Sequence, residues 1–106
     1  MTGQVRHIVA IRFKAAVDET KVDALMQQLA DLRGHLPGIV DFGHRENISP
    51  EVPVVHGLKH LFWFDFIDEK ARDAYLVDPA HQAVGKDLVA AADGGIDGIV
   101  VLDYFL

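Results

Sequence analysis

The stretch His60-Leu61-Phe62-Trp63-Phe64-Asp65-Phe66-Ile67 constrains the fold of this chain more than any other. Successive side chains of a strand point to opposite faces, so this pattern of aromatics at alternate positions reads as β. His60, Phe62, Phe64 and Phe66 share one face, and Leu61, Trp63, Asp65 and Ile67 share the other. Both faces are largely apolar. Val5 to Phe13 repeats the arrangement, with His7, Val9, Ile11 and Phe13 on one side and Ile8, Ala10 and Arg12 on the other. A sheet built on two such strands needs cover on both faces.

Helical spacing supplies the cover for one of them. Asp18 is a candidate N-cap for Val22, Leu25, Met26, Leu29, Leu32 and Leu36, with a stop near His35 before Pro37-Gly38. Ile39 to Glu46 reads as a second strand with Val40, Phe42 and His44 on one side, and the segment 47–58, holding Pro50, Pro53 and Gly57, as a long loop able to form a rim or lid. Asp68-Glu69 opens a helix carrying Ala71, Ala74 and Tyr75, which must break at Asp78-Pro79. Asp78 can cap a new helix with Pro79 in its first turn, continuing through His81, Val84, Leu88 and Val89 to about Ala92. Gly94-Gly95 then frees the chain for a last strand from Ile96 to Phe105.

The order β-α-β-β-α-β specifies a single α+β domain over residues 1–106, a ferredoxin-like antiparallel sheet of order 4-1-3-2 with the helices on one face. The bare face then carries Ile8, Ala10, Leu61, Trp63, Ile99 and Val101, a patch too large for a monomer. A two-fold homodimer through the sheet face, a dimeric α/β barrel, covers it. Strand parity adds Arg12, Asp65 and Asp103 to this face as an expected polar cluster.

Composition excludes several functions. The 106 residues include no cysteine, so there is no thiolate nucleophile and no cysteine-based metal site, and a cytoplasmic setting is expected. Sixteen acidic residues against ten basic ones argue against nucleic-acid binding. No run approaches the ~18 apolar residues of a membrane span, and the opening residues lack the features of a signal peptide. Gly94-Gly95 lacks dinucleotide-site spacing, and one serine, Ser49, leaves a serine triad little to build on. No cofactor is implied.

The chemistry falls to histidine and tyrosine. His35 at a helix end, and His44 and His56 near loops, are read as structural. His7 and His60 each begin a strand on the helix-facing side; with those strands taken as parallel neighbours, the two imidazoles come together at one end of a pocket. His81 lies at a helix N-terminus, which disfavours the imidazolium and suits a general base, although the Asp78 carboxylate acts the other way. Tyr75 can donate from its phenol to a carbonyl or enolate oxygen, or it can simply pack and hydrogen-bond His81. Three inward histidines, with His44-x-Glu46, are the weaker alternative of a metal site.

The segments from Val5 to Lys14, from His60 to Phe66, from Ala74 to His81 and from Val101 to Phe105 together resemble the stress-responsive dimeric α/β-barrel (Dabb) family, over almost the whole chain. The resemblance implies a homodimeric ferredoxin-like barrel. In olivetolic acid cyclase-type members, which close a linear polyketide thioester without a cofactor, the Tyr-x-x-x-Pro-x-His segment supplies the acid/base pair. It matches Tyr75 and His81 here, and the two inward strand histidines match His7 and His60. Leu29 and Val84 stand where those enzymes carry bulky aromatics, which implies a pocket of different shape. The expectation is a small-molecule pocket for an apolar carbonyl compound, worked by a cyclase- or isomerase-type catalyst; the alternative is a non-catalytic ligand-binding or stress-response dimer.

Overall fold

The structure is a computed structural model that describes residues 3–106. In chain order it contains β1 (Val5–Ile11), α1 (Glu19–Asp31), β2 (Ile39–Glu46), the one-turn α2 (Val52–Val55), β3 (His60–Phe66), α3 (Glu69–Val77), α4 (Pro79–Ala91) and β4 (Ile99–Phe105). The four strands form one antiparallel sheet in the order β2-β3-β1-β4, the ferredoxin-like arrangement, with the helices on one face.

Local chemistry sets the boundaries. Asp18 caps α1 by accepting from the Lys21 amide, Asp68 caps α3 through the Ala71 amide, and Asp78 caps α4 through the His81 amide. The core lies between the helices and one face of the sheet. Leu25 and Leu29 of α1, Phe62, Phe64 and Phe66 of β3, Ile11 of β1 and Tyr75 of α3 are completely or almost completely buried there.

Four expectations need correction. First, β1 and β3 run antiparallel, with Ile11 opposite His60 and Phe64 opposite His7, so the two histidines stand at opposite ends of the sheet. The crossover through α1 makes β2 run in the direction of β1, and β3, reached by reversal from β2, must run against both. Second, β4 begins at Ile99, because a 3₁₀ turn over Gly95–Gly98 occupies the residues before it. Its parity is also reversed. Ile99, Val101 and Asp103 pair with Ile11, Val9 and His7 and share their helix-facing side, while Val100, Leu102 and Tyr104 take the outer face.

Third, the polar cluster of Arg12, Asp65 and Asp103 does not exist. Asp65 is held by both guanidinium branches of Arg6, at 2.8 and 2.9 Å. Arg12 donates to the carbonyls of His56, Asp93 and Asp97, tying the loop after α2 to the turn before β4. Fourth, a bulge between Ile39 and Asp41 shifts Val40 out to half exposure and turns Ile39 to the core. The outer face therefore presents Ile8, Ala10, Leu61, Trp63, Val100 and Leu102. Trp63 lies across Gly43, where any Cβ would overlap its ring, and the guanidiniums of Arg6 and Arg45 sit 5.7 and 5.8 Å from the ring centre.

Phe64 is 0% exposed and touches aromatic rings of β2, β3 and α3. Phe64→Ala should cost about 3–5 kcal/mol in urea unfolding. A loss below 1 kcal/mol would mean that this layer is not the closely packed core described.

Candidate functional site

The site is made by the break between α3 and α4. Asp78 is extended (φ −68°, ψ 129°), and Pro79 starts the next helix in a new direction. The Asp78 carboxylate accepts from the His81 amide at 3.1 Å and meets His35 Nε2 at 2.8 Å. Desolvation alone would raise its pKa, but the amide of His81, the His35 imidazole and the amide of Ala80 together bring it below the ordinary carboxylate value.

This corner stacks Tyr75 and His81, whose ring centres are 3.8 Å apart and 28° from parallel. Tyr75 is 1% exposed and also contacts Phe64, Phe66 and His7. Burial, with a smaller contribution from the Asp103 carboxylate, pushes the phenol well above its usual pKa of 10.0 and keeps it a hydrogen-bond donor. Burial, and then the proximity of His7, lower His81 below 6.5; the carbonyls of Tyr75 and Leu76 oppose this more weakly. His81 Nδ1 is buried without a hydrogen-bond partner among the described residues.

His7 completes the arrangement from the sheet. Its Nδ1 is 2.7 Å from Asp103 Oδ1, and Asp103 Oδ2 accepts from an Arg72 terminal nitrogen at 2.7 Å. The carboxylate thus fixes the His7 ring while its other oxygen is neutralised from α3. The sequence does not bring Asp103 and Arg72 to this site, because the parity it suggests for β4 puts Asp103 on the outer face. The Val-Leu-Asp-Tyr run offers apolar residues to both faces, so its pattern carries no sign of which one is inward.

Tyr75, His81 and His7 line a cavity of about 240 Å³. Its remaining wall is apolar and includes Val9, Ile11, Phe62, Leu88 and Val101. His60 does not belong to this group. It stacks with His44 at 5.9 Å and meets Phe13 edge-on at the far end of the sheet, below the loop after β2. Three inward histidines therefore do not converge, and among the described residues no group of three or more His, Asp or Glu side chains is placed to hold a metal.

With this geometry in place, the similarities to known proteins acquire meaning. The family described as the stress responsive A/B barrel domain matches residues 5–106. The chain belongs to that family. A dimeric ferredoxin-like protein of unknown function from Jannaschia sp. CCS1 shares 33% identity with this A/B-barrel chain, with a TM-score of 0.88 over 98% of this chain and 100% of that one. A hydroxynitrile lyase from Passiflora edulis has a TM-score of 0.85 at 21% identity, over 100% and 95% of the two chains, and shares the fold. A Dabb-family protein with a ferredoxin-like fold from Mesorhizobium loti shares 24% identity, with a TM-score of 0.72 over 98% and 97%. No curated protein matches the chain. Among the described residues, no helix of this family member is long and apolar enough to cross a membrane.

The lowered pKa of His81 links to stability. The unfolded chain takes up the proton near 6.5 and the folded chain resists it, so the unfolded state binds more protons just below that pH. The contribution is complete above pH 6.5 and is lost as the pH falls toward the folded midpoint. His44, lowered chiefly by burial and then by His60, adds in the same direction. Urea midpoints should fall from pH 7 to pH 5, and His81→Gln should flatten that slope; an unchanged slope would contradict a neutral buried His81.

Proposed function

We propose that this chain is a cofactor-independent acid/base catalyst, acting as a homodimer on a small apolar carbonyl compound. The observation that carries the reading is the Tyr75–His81 stack on the wall of an apolar cavity, with His7 on the facing strand. Tyr75 and His81 each have the protonation state their tasks need near neutral pH. The neutral His81 takes a proton from the carbon beside the carbonyl, and the C–H electron pair moves into the enolate. Tyr75 keeps its proton and donates a hydrogen bond to the enolate oxygen. His7, with its Nδ1 proton held by Asp103, presents Nε2 to the cavity and orients the substrate. In an isomerisation the imidazolium of His81 returns the proton to another atom of the enolate system; in a cyclisation the enolate carbon first attacks a second carbonyl of the same molecule, whose π pair becomes an alkoxide that the imidazolium protonates, so either reaction closes without an external reagent.

The dimer is supported by the outer face, where Val100 and Leu102 are 40% and 61% exposed on the same side of the sheet as Trp63, and by the dimeric relative at 33% identity. The absence of cysteine supports a cytoplasmic setting.

Proton abstraction is measurable without knowing the physiological substrate, as deuterium exchange at the α-carbon of simple ketones in D₂O followed by NMR. His81→Ala should lower the catalysed rate by about 10²–10⁴ and Tyr75→Phe by about 10–10³, with the fold retained. Full exchange in both variants would sink the mechanism, and ketone binding without exchange in the native protein would favour the non-catalytic ligand-binding dimer. Separately, Leu102→Asp should convert the dimer to monomer in light scattering at micromolar concentration; an intact dimer would place the interface elsewhere.

A further inference from the structure

Gly85 lies inside α4, one helical turn beyond His81, so the two share a face of that helix. Glycine is a poor helix former, surpassed only by proline, and its presence in a helix interior asks for a reason. Backbone conformation is not the reason, because Gly85 has no positive φ. Close packing is not the reason either: a Cβ built on Gly85 would meet no heavy atom within 4 Å among the described residues beyond the helix backbone itself.

What Gly85 borders is open space on two sides. Together with Val89 it lines the Tyr75–His81 cavity, and the same two residues line a groove on the outside of α4 that also includes Gln82 and Lys86. At Gly85 no side chain stands between the two spaces. Two further cavity-lining residues, Leu76 and Val101, are 41% and 53% exposed, so apolar surface at this rim faces outward.

We propose that Gly85 is the gate of the cavity: its missing side chain keeps open the passage by which a ligand reaches Tyr75 and His81, and sets the girth of what is admitted. The gate selects slender, unbranched carbonyl compounds over branched ones of equal carbon number, because a side chain at this position would take up part of the open space that the cavity and the groove share. This inference rests on the reading of the cavity as the substrate site.

Two ketones of the same composition, 2-heptanone and 4,4-dimethyl-2-pentanone, serve as probes, with affinity read from NMR shifts of the His81 ring protons. The native protein should bind the straight-chain ketone more tightly. Gly85→Val should weaken 2-heptanone binding by about tenfold or more, and Gly85→Ala by a smaller factor. Gly85→Ala should also raise Tm, since alanine favours the helix and meets no neighbour there. A structural role for Gly85 would instead lower Tm in the alanine variant, which also carries the binding test if the valine variant does not fold. Native-like affinity in the folded variants overturns the gate alone, leaving the proposed function standing. Failure of the native protein to bind either ketone overturns both.

Discussion

The Asp78–Pro79 junction is the constraint on which the site depends. In an uninterrupted helix, residues six apart are separated by roughly 240° around the axis, so Tyr75 and His81 would face different ways. Pro79 removes the amide that would continue the ladder and holds Asp78 in an extended conformation, and the new axis brings the two rings face to face at 3.8 Å. The Asp78 carboxylate stabilises both sides of the corner, capping α4 through the His81 amide and meeting His35 beyond the end of α1. A proline that would be destructive in a helix interior here creates the proximity of phenol and imidazole.

Burial then sets the charge state around this corner. Tyr75 stays protonated and His81 neutral for the same reason, the poor solvation of ions in the apolar wall. The carboxylate that acts on Tyr75, that of Asp103, is engaged by His7 on one oxygen and Arg72 on the other. Negative charge developing on a bound ligand therefore has donors to meet rather than a free anion to repel it.

The helices and their caps were legible in the sequence because their signals are local. Asp18, Asp68 and Asp78 each cap within three residues, and the Pro79 break follows from one ring. The same locality made the Tyr75–His81 pair readable as a candidate. Strand orientation and the facing of β4 are not local. Taking β1 and β3 as parallel groups His60 with His7, but the direction of β3 depends on the α1 crossover, which puts the two at opposite ends. In β4, Ile99, Val100, Val101 and Leu102 suit either face equally, so only the pairing of His7 with Asp103 reveals that the aspartate points inward. Trp63 shows another limit, since its position follows from Gly43 on a neighbouring strand and not from its own neighbours in the chain.

The hydrogen bond between His7 and Asp103 joins residues 96 positions apart, on the first strand and the last. In the order of synthesis, α1, β2, β3 and the Tyr75–His81 corner all precede the partner of His7. Every nascent or truncated chain lacking β4 therefore has an unoriented imidazole and an unwalled cavity. Completion of the candidate site is in this way tied to completion of the fold, because a chain that stops short of β4 has neither the anchor of the His7 ring nor the last wall of the cavity.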